Sequence, residues 1–275
     1  MMNSVGCARW KEPVSSSSNA SKAAAALGTV KEAKNRVIIE VEFVNLIVDQ
    51  TESESSKELW RWVDETAIDS RVRQKLIGNG IRSGFVSSEE RFRERLNEND
   101  AERDVVETFL AEASVASDIS HGSKRIPMRL GRRVELPLGQ PIEGSHVAML
   151  RLDGETVGRT LQNAQYILSL TATQADSPNQ VRLKIRPEIQ YGDTRQKWVS
   201  SDTALRIDSR RETWAIPELD LNVVASEKDL IVLAPTQPLK GLAKRMLAGA
   251  GSDHDHEQLF VLVRIEQIPS AADQL

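Results

Sequence analysis

The side chains that could do chemistry are few and scattered. The chain has four histidines, His121, His146, His254 and His256, and one cysteine, Cys7. His254-Asp255-His256-Glu257 is the one dense run of metal-ligating types. On a strand, residues 254 and 256 would share a face, an arrangement that suits a metal ion. The run follows Gly249-Ala250-Gly251-Ser252-Asp253, however, which reads as a loop, and the sequence points to no third or fourth ligand. We therefore expect His254 and His256 to lie in a hydrated loop without a metal. A single cysteine excludes an intrachain disulfide and a zinc site built on cysteines. No glycine-rich phosphate cradle, nucleophile elbow or metalloprotease signature occurs. Gly78-x-Gly80 and Gly249-x-Gly251 both lack the third glycine of a dinucleotide fingerprint. The 40 acidic residues leave open a hydrolase built on a carboxylate pair that sequence cannot single out. No catalytic residue and no cofactor is expected.

Cys7 has a second chemistry, acylation. Val5-Gly6-Cys7 sets a small residue before the cysteine, and a polar stretch follows, which resembles the lipidation signal of bacterial lipoproteins. Two features depart from it: Ser4 stands where an aliphatic residue is usual, and no apolar signal core precedes the cysteine. A start further upstream would supply that core. Two readings stay open: a lipid anchor at Cys7, or an inert cysteine in a disordered terminus.

The elements that must position any site follow from composition and pattern. The 275 residues carry a net charge of −4, with 40% hydrophobic and 28% charged residues, so a real core is available. No basic excess draws the chain to nucleic acid. No uncharged apolar run approaches the roughly 20 residues of a membrane helix. Charge divides the chain into residues 1–35 at +3, 36–120 at −8 and 121–275 at +1. This division predicts an α+β protein with a flexible tether over 1–35, a small mixed α/β domain over 36–118 and a mostly antiparallel β domain over 125–269, joined by a linker at 118–124.

Within 36–118, Val37, Ile39, Val41 and Phe43 alternate with Glu40 and Glu42, as a strand with one buried face requires. Leu59, Trp62, Val63 and Ala67 have helical spacing from Lys57. Asp69 or Ser70 caps a second helix, which Gly78-Asn79-Gly80 ends. A short strand follows over 81–86. Ser87-Ser88-Glu89-Glu90 opens a third helix carrying Phe92 and Leu96. A fourth is expected over 102–117. Trp60, Trp62, Asp64 and Glu65 cluster here, and we expect them to be core and solvated face, not a site.

In the β region, Asp153-Gly154 between two alternating runs predicts a hairpin. Tyr166, Leu168, Leu170 and Ala172 share one face, and Val181, Leu183 and Ile185 alternate with Arg182, Lys184 and Arg186. That basic stripe reads as a solvated face. Leu239 to Ala250 reads as a short helix or loop. Long amphipathic strands of the kind that form a membrane gate are not evident in the pattern.

The stretch from about Gly144 to Ile268 resembles the C-terminal homology region of bacterial secretins, the outer-membrane ring proteins of type II and III secretion. The likeness rests on Tyr166-Ile-Leu-Ser-Leu-Thr-Ala-Thr173, then Val181-Arg-Leu-Lys-Ile-Arg-Pro-Glu-Ile189 with its Pro187. Arg211-Glu212-Thr213, Leu230-Ile-Val-Leu233, Pro238-Leu-Lys-Gly-Leu242 and Leu259-Phe-Val-Leu-Val-Arg-Ile265 follow in order. Asp229 stands where the family has glycine. The resemblance implies a non-enzymatic cell-envelope protein, structural or assembling, related to type II or III protein secretion. It implies further copies of the chain or another envelope protein as partner, and membrane contact only through a lipid at Cys7. Its place would be the periplasm or outer membrane if a signal lies upstream, and the cytoplasm without one. The alternatives are a monomeric periplasmic binding or scaffold module, or the hydrolase with unidentified acids.

Overall fold

Alternation in Arg36–Ile47 forms the first strand, β1, of a computed structural model that describes residues 36–47, 58–100, 122–201, 204–248 and 257–269. A helical turn ends at Trp60, and β2 (Val63–Asp64) follows. Helix α1 (Ser70–Gly78) is capped by Asp69, whose carboxylate accepts from the Arg71 and Val72 amides. Then come β3 (Ile81–Val86) and helix α2 (Glu89–Asp100). The remainder is β4 (Gly122–Arg129), β5 (Arg133–Pro137), β6 (Ile142–Leu152), β7 (Glu155–Gln174), β8 (Gln180–Ser201), β9 (Ala204–Ala215), β10 (Leu221–Ser226), β11 (Leu230–Pro235), the short helix α3 (Ala243–Met246) and β12 (Glu257–Gln267). The fold is β-rich α+β, and every strand pair is antiparallel.

One sheet runs in the order β2-β3-β11-β12-β1-β4, and the second in the order β10-β8-β7-β5, with β6 on β7 and β9 on β8. This corrects the expected domains. The division at 118–125 does not separate the strands, because β1 lies between β12 and β4, and β3 pairs with β11. Residues 35–275 form one compact unit. The local pattern that predicted each strand holds no information about pairing across more than 200 residues.

Buried residues of both sheets, among them Ile39, Val41, Val263, Leu170, Leu183 and Ile185, form one continuous core. The other face of the first sheet carries a second core in which Phe92 and Leu96 of α2, with Leu59 and Trp60, cover Leu230, Val232, Phe260 and Leu262. Thus β11 and β12 are covered on both faces, which explains the unbroken apolar stretches Leu230–Pro235 and 259–263. Glu40 and Glu42, expected to be wet, lie beneath α2. Arg93 bridges Glu42 and Glu89, and Arg264 bridges Glu40 and Glu89.

Two further expectations need correcting. The helix read from Lys57 through Ala67 stops at Trp60. There Trp60 is buried beneath the Arg82 guanidinium, 4.0 Å from its ring centroid, and Arg82 is held by both Glu65 oxygens. Long strands also do exist, for β7 has 20 residues and β8 has 22. Each looks short in sequence because its face alternation is broken part-way by a residue with positive φ. The helix expected over 102–117 lies outside the described residues.

Candidate functional site

The long strands share their first partnership and then part. β7 pairs with β8 only over 165–174, opposite 181–190. Beyond that joint, β7 turns to β6 and β8 turns to β9, giving two hairpins. The first closes at Asp153-Gly154, with φ of 48° and 92°, the paired positive values of the tight turn its sequence predicts. Both hairpins bend where they leave the sheet. In the first, Gly144 (φ 74°) faces Asn163 (φ 48°), the register slips between Ile142 and Ser145, and the Gly144 amide donates to Asn163 Oδ1 at 2.9 Å. In the second, Gly192 (φ 72°) lies within a register slip, and its carbonyl accepts from Arg211 Nε. Arg159 of β7 crosses between the hairpins. It donates to the Tyr191 hydroxyl at 2.7 Å and lies over the Tyr191 and Trp214 rings.

The first hairpin does not stand free. Asn79, the fully buried residue that ends α1, donates from Nδ2 to the Arg151 carbonyl and accepts at Oδ1 from the Arg151 amide, both at 2.7 Å. Lys75 of α1 adds an exposed ion pair to Asp153 at 3.0 Å. Between bend and tip, β6 reads Val147-Ala148-Met149-Leu150 with no charge. Ala148 and Leu150 face the core, whereas Val147 and Met149 are more than half exposed. Leu152 pairs with Glu155 across the turn, so the N–H and C=O groups of Arg151, Met149 and Val147 point away from β7. Among the described strands, β6 pairs with β7 alone and β9 with β8 alone.

Two titratable groups sit near these features. His146 Nε2 lies 3.0 Å from the Tyr166 hydroxyl at the base of the first hairpin, and His146 Nδ1 is buried without a hydrogen-bond partner. Burial, and then the Arg245 charge, hold the imidazole below its usual range, and burial pushes the Tyr166 hydroxyl up to about 12. On the opposite face of the second sheet, Glu188 is buried and pairs with Arg133 at 2.5 Å. Burial raises its carboxyl despite that cation.

Of the residues singled out from sequence, Cys7, His121, His254 and His256 lie outside the described residues. Among the described residues, no three His, Cys, Asp or Glu side chains converge as metal ligands. A cleft of about 570 Å³ between the β7–β8 turn, the β10–β11 turn and the end of β12 is lined by Ser177, Asn179, Gln180, Ser226 and Glu227 among others. Glu227 is its one acid, and Oε1 of that residue accepts from the Ile268 amide. Trp60 and Glu65 are structural, as described above. Sequence reasoning missed Asn79, Gly144, Asn163 and Arg159. The Asn79-Gly80 pair was legible only as a helix end. No family model, curated protein or solved structure matches the chain.

Proposed function

We propose that this chain is a non-enzymatic, secretin-like envelope protein that assembles with further copies of itself through its long hairpins. The observation that supports this reading is the pair of open strand edges. β6 bounds one hairpin and β9 the other, and among the described strands neither has a second one beside it. Because neighbouring strands alternate in direction from β6 to β9, these two edges run antiparallel. Copies placed side by side in one orientation can therefore join β9 to the next β6 by ordinary antiparallel ladders. Such head-to-tail contacts close into a ring when the rotation per copy allows it. The exposed Val147 and Met149, without a guarding charge between His146 and Arg151, make β6 an edge of the kind that β-sheet proteins ordinarily protect with charges on the edge itself. The envelope setting is drawn from the sequence resemblance, with Cys7 as the anchor when a signal precedes it.

The test is sedimentation and light scattering of the full chain at rising concentration. Self-association should appear, and Val147→Lys with Met149→Lys should suppress it without unfolding the chain, since both side chains are exposed. A strict monomer at high concentration would count decisively against the reading.

A further inference from the structure

We propose that Asn79 guards the β6 edge: its amide occupies the place of a neighbouring strand and keeps the β6–β7 hairpin latched until a second copy displaces it. The inference rests on the self-association reading above and assigns that association a gate.

The contact has the form of a strand ladder. An incoming antiparallel strand would satisfy Arg151 through one C=O and one N–H, and Asn79 supplies one of each from a single side chain. Ending the helix does not require this. The backbone N–H of Asn79 already serves the carbonyls of the last turn, from Lys75 and Leu76, and Nδ2 also donates to the Lys75 carbonyl, so the two bonds to Arg151 are additional to the helix end. A partner strand laid along β6 as far as its tip must take the Arg151 groups, so it and Asn79 compete for the same atoms. The only other polar tie between α1 and the hairpin tip among the described residues is the solvent-exposed pair Lys75–Asp153. Paired surface charges of this kind hold weakly. The opposite end of the hairpin is built to bend. Gly144 and Asn163, both at positive φ, meet across the ladder where the register slips. The uncharged segment Val147–Leu150 lies between that bend and the latch. Edge strands are ordinarily guarded by their own charges. Here the guard is a side chain from another element, and it can be removed.

The test compares the wild-type chain, Asn79→Ala and Lys75→Glu, the last of which repels Asp153 without touching the buried amide. Hydrogen exchange at high dilution reads the latch, and sedimentation over a concentration series reads association. In the wild type the Arg151 amide should exchange slowly. In both variants it should exchange faster, and half-assembly should come at a concentration lower by about tenfold in Asn79→Ala, the scale of one competing hydrogen bond, and by a smaller factor in Lys75→Glu. If Asn79→Ala fails to fold, Lys75→Glu decides alone, with a shift in the same direction. Unchanged exchange at Arg151 in the folded variants overturns the latch. Faster exchange with equal association in all three forms overturns the guard role. Faster exchange with no association in any form identifies the self-association reading as the part that failed.

Discussion

Ile185 and Lys184 are neighbours in β8 with opposite fates, and substituting each tests the register on which the second sheet depends. Ile185 is fully buried and stands between Leu170 of β7 and Leu221 of β10, themselves buried. Lys184 faces the other way, between Thr171 and Asn222. Truncating a side chain such as Ile185 to Ala costs about 2–5 kcal/mol, because transfer and cavity terms add. Ile185→Asp adds the desolvation of a carboxylate set among buried apolar side chains, several kcal/mol more. Total stabilities of about 5–15 kcal/mol leave little after such a loss. Lys184→Glu removes one cation from a row that also holds Arg182 and Arg186, so its effect should stay within about 0.5 kcal/mol. Urea unfolding of the full chain, followed by circular dichroism and tryptophan fluorescence, separates these outcomes. With slopes of about 1–3 kcal/mol per molar urea, Ile185→Ala should lower the midpoint by about 1 M or more. Ile185→Asp should leave the chain unfolded or nearly so, and Lys184→Glu should melt with the wild type. Equal losses at 184 and 185 would refute the assigned register, and a larger loss at 184 would mean that the pairing is displaced by one residue, which turns every side chain of β8 to the other face.

Gly80→Ala should cost about 3 kcal/mol or more in the same assay, because φ is 81° and the new methyl overlaps the Lys240 carbonyl. Gly131→Ala, at φ 75° in open space, should cost only about 1–2 kcal/mol. Acid should weaken the base of the first hairpin. The folded state holds His146 below its unfolded value near 6.5, so its contribution is complete above that pH and fades as pH falls through and below it. Melts of the wild type should therefore fall relative to His146→Gln between about pH 7 and 5, and parallel curves would refute this. His254→Ala with His256→Ala should leave the melting temperature unchanged with or without zinc, and a zinc-dependent rise in the wild type alone would reveal a metal site.

Local signals carried the elements well. Asp153-Gly154 announced its hairpin, the row from Tyr166 to Ala172 announced a buried face, and Asp69 announced α1. What failed was everything set by distant partners. Nothing near Val37 or Ile39 says that Val263 and Ile265 lie beside them, so a charge shift at residue 120 passed for a domain boundary. The bends at Asn163 and Gly192 hid the length of β7 and β8, because a single left-handed residue reverses the alternation by which strands are recognised. At the candidate site, the uncharged stretch in β6 was visible as sequence. Its exposure, and the capture of Arg151 by Asn79, arise from the fold alone.

The sheet order carries a consequence for biosynthesis. β11 and β12 fill the slot between β3 and β1, so two ribbons made early remain apart until the strands made last among those described arrive between them. At about 5–20 residues per second, β1 waits for more than ten seconds with one edge unpaired before its central neighbour leaves the ribosome. A polypeptide released before residue 257 would keep two raw edges, on β1 and β11. Nascent chains of this protein should therefore be chaperone clients, and premature termination late in the message should yield aggregates, not a smaller folded product.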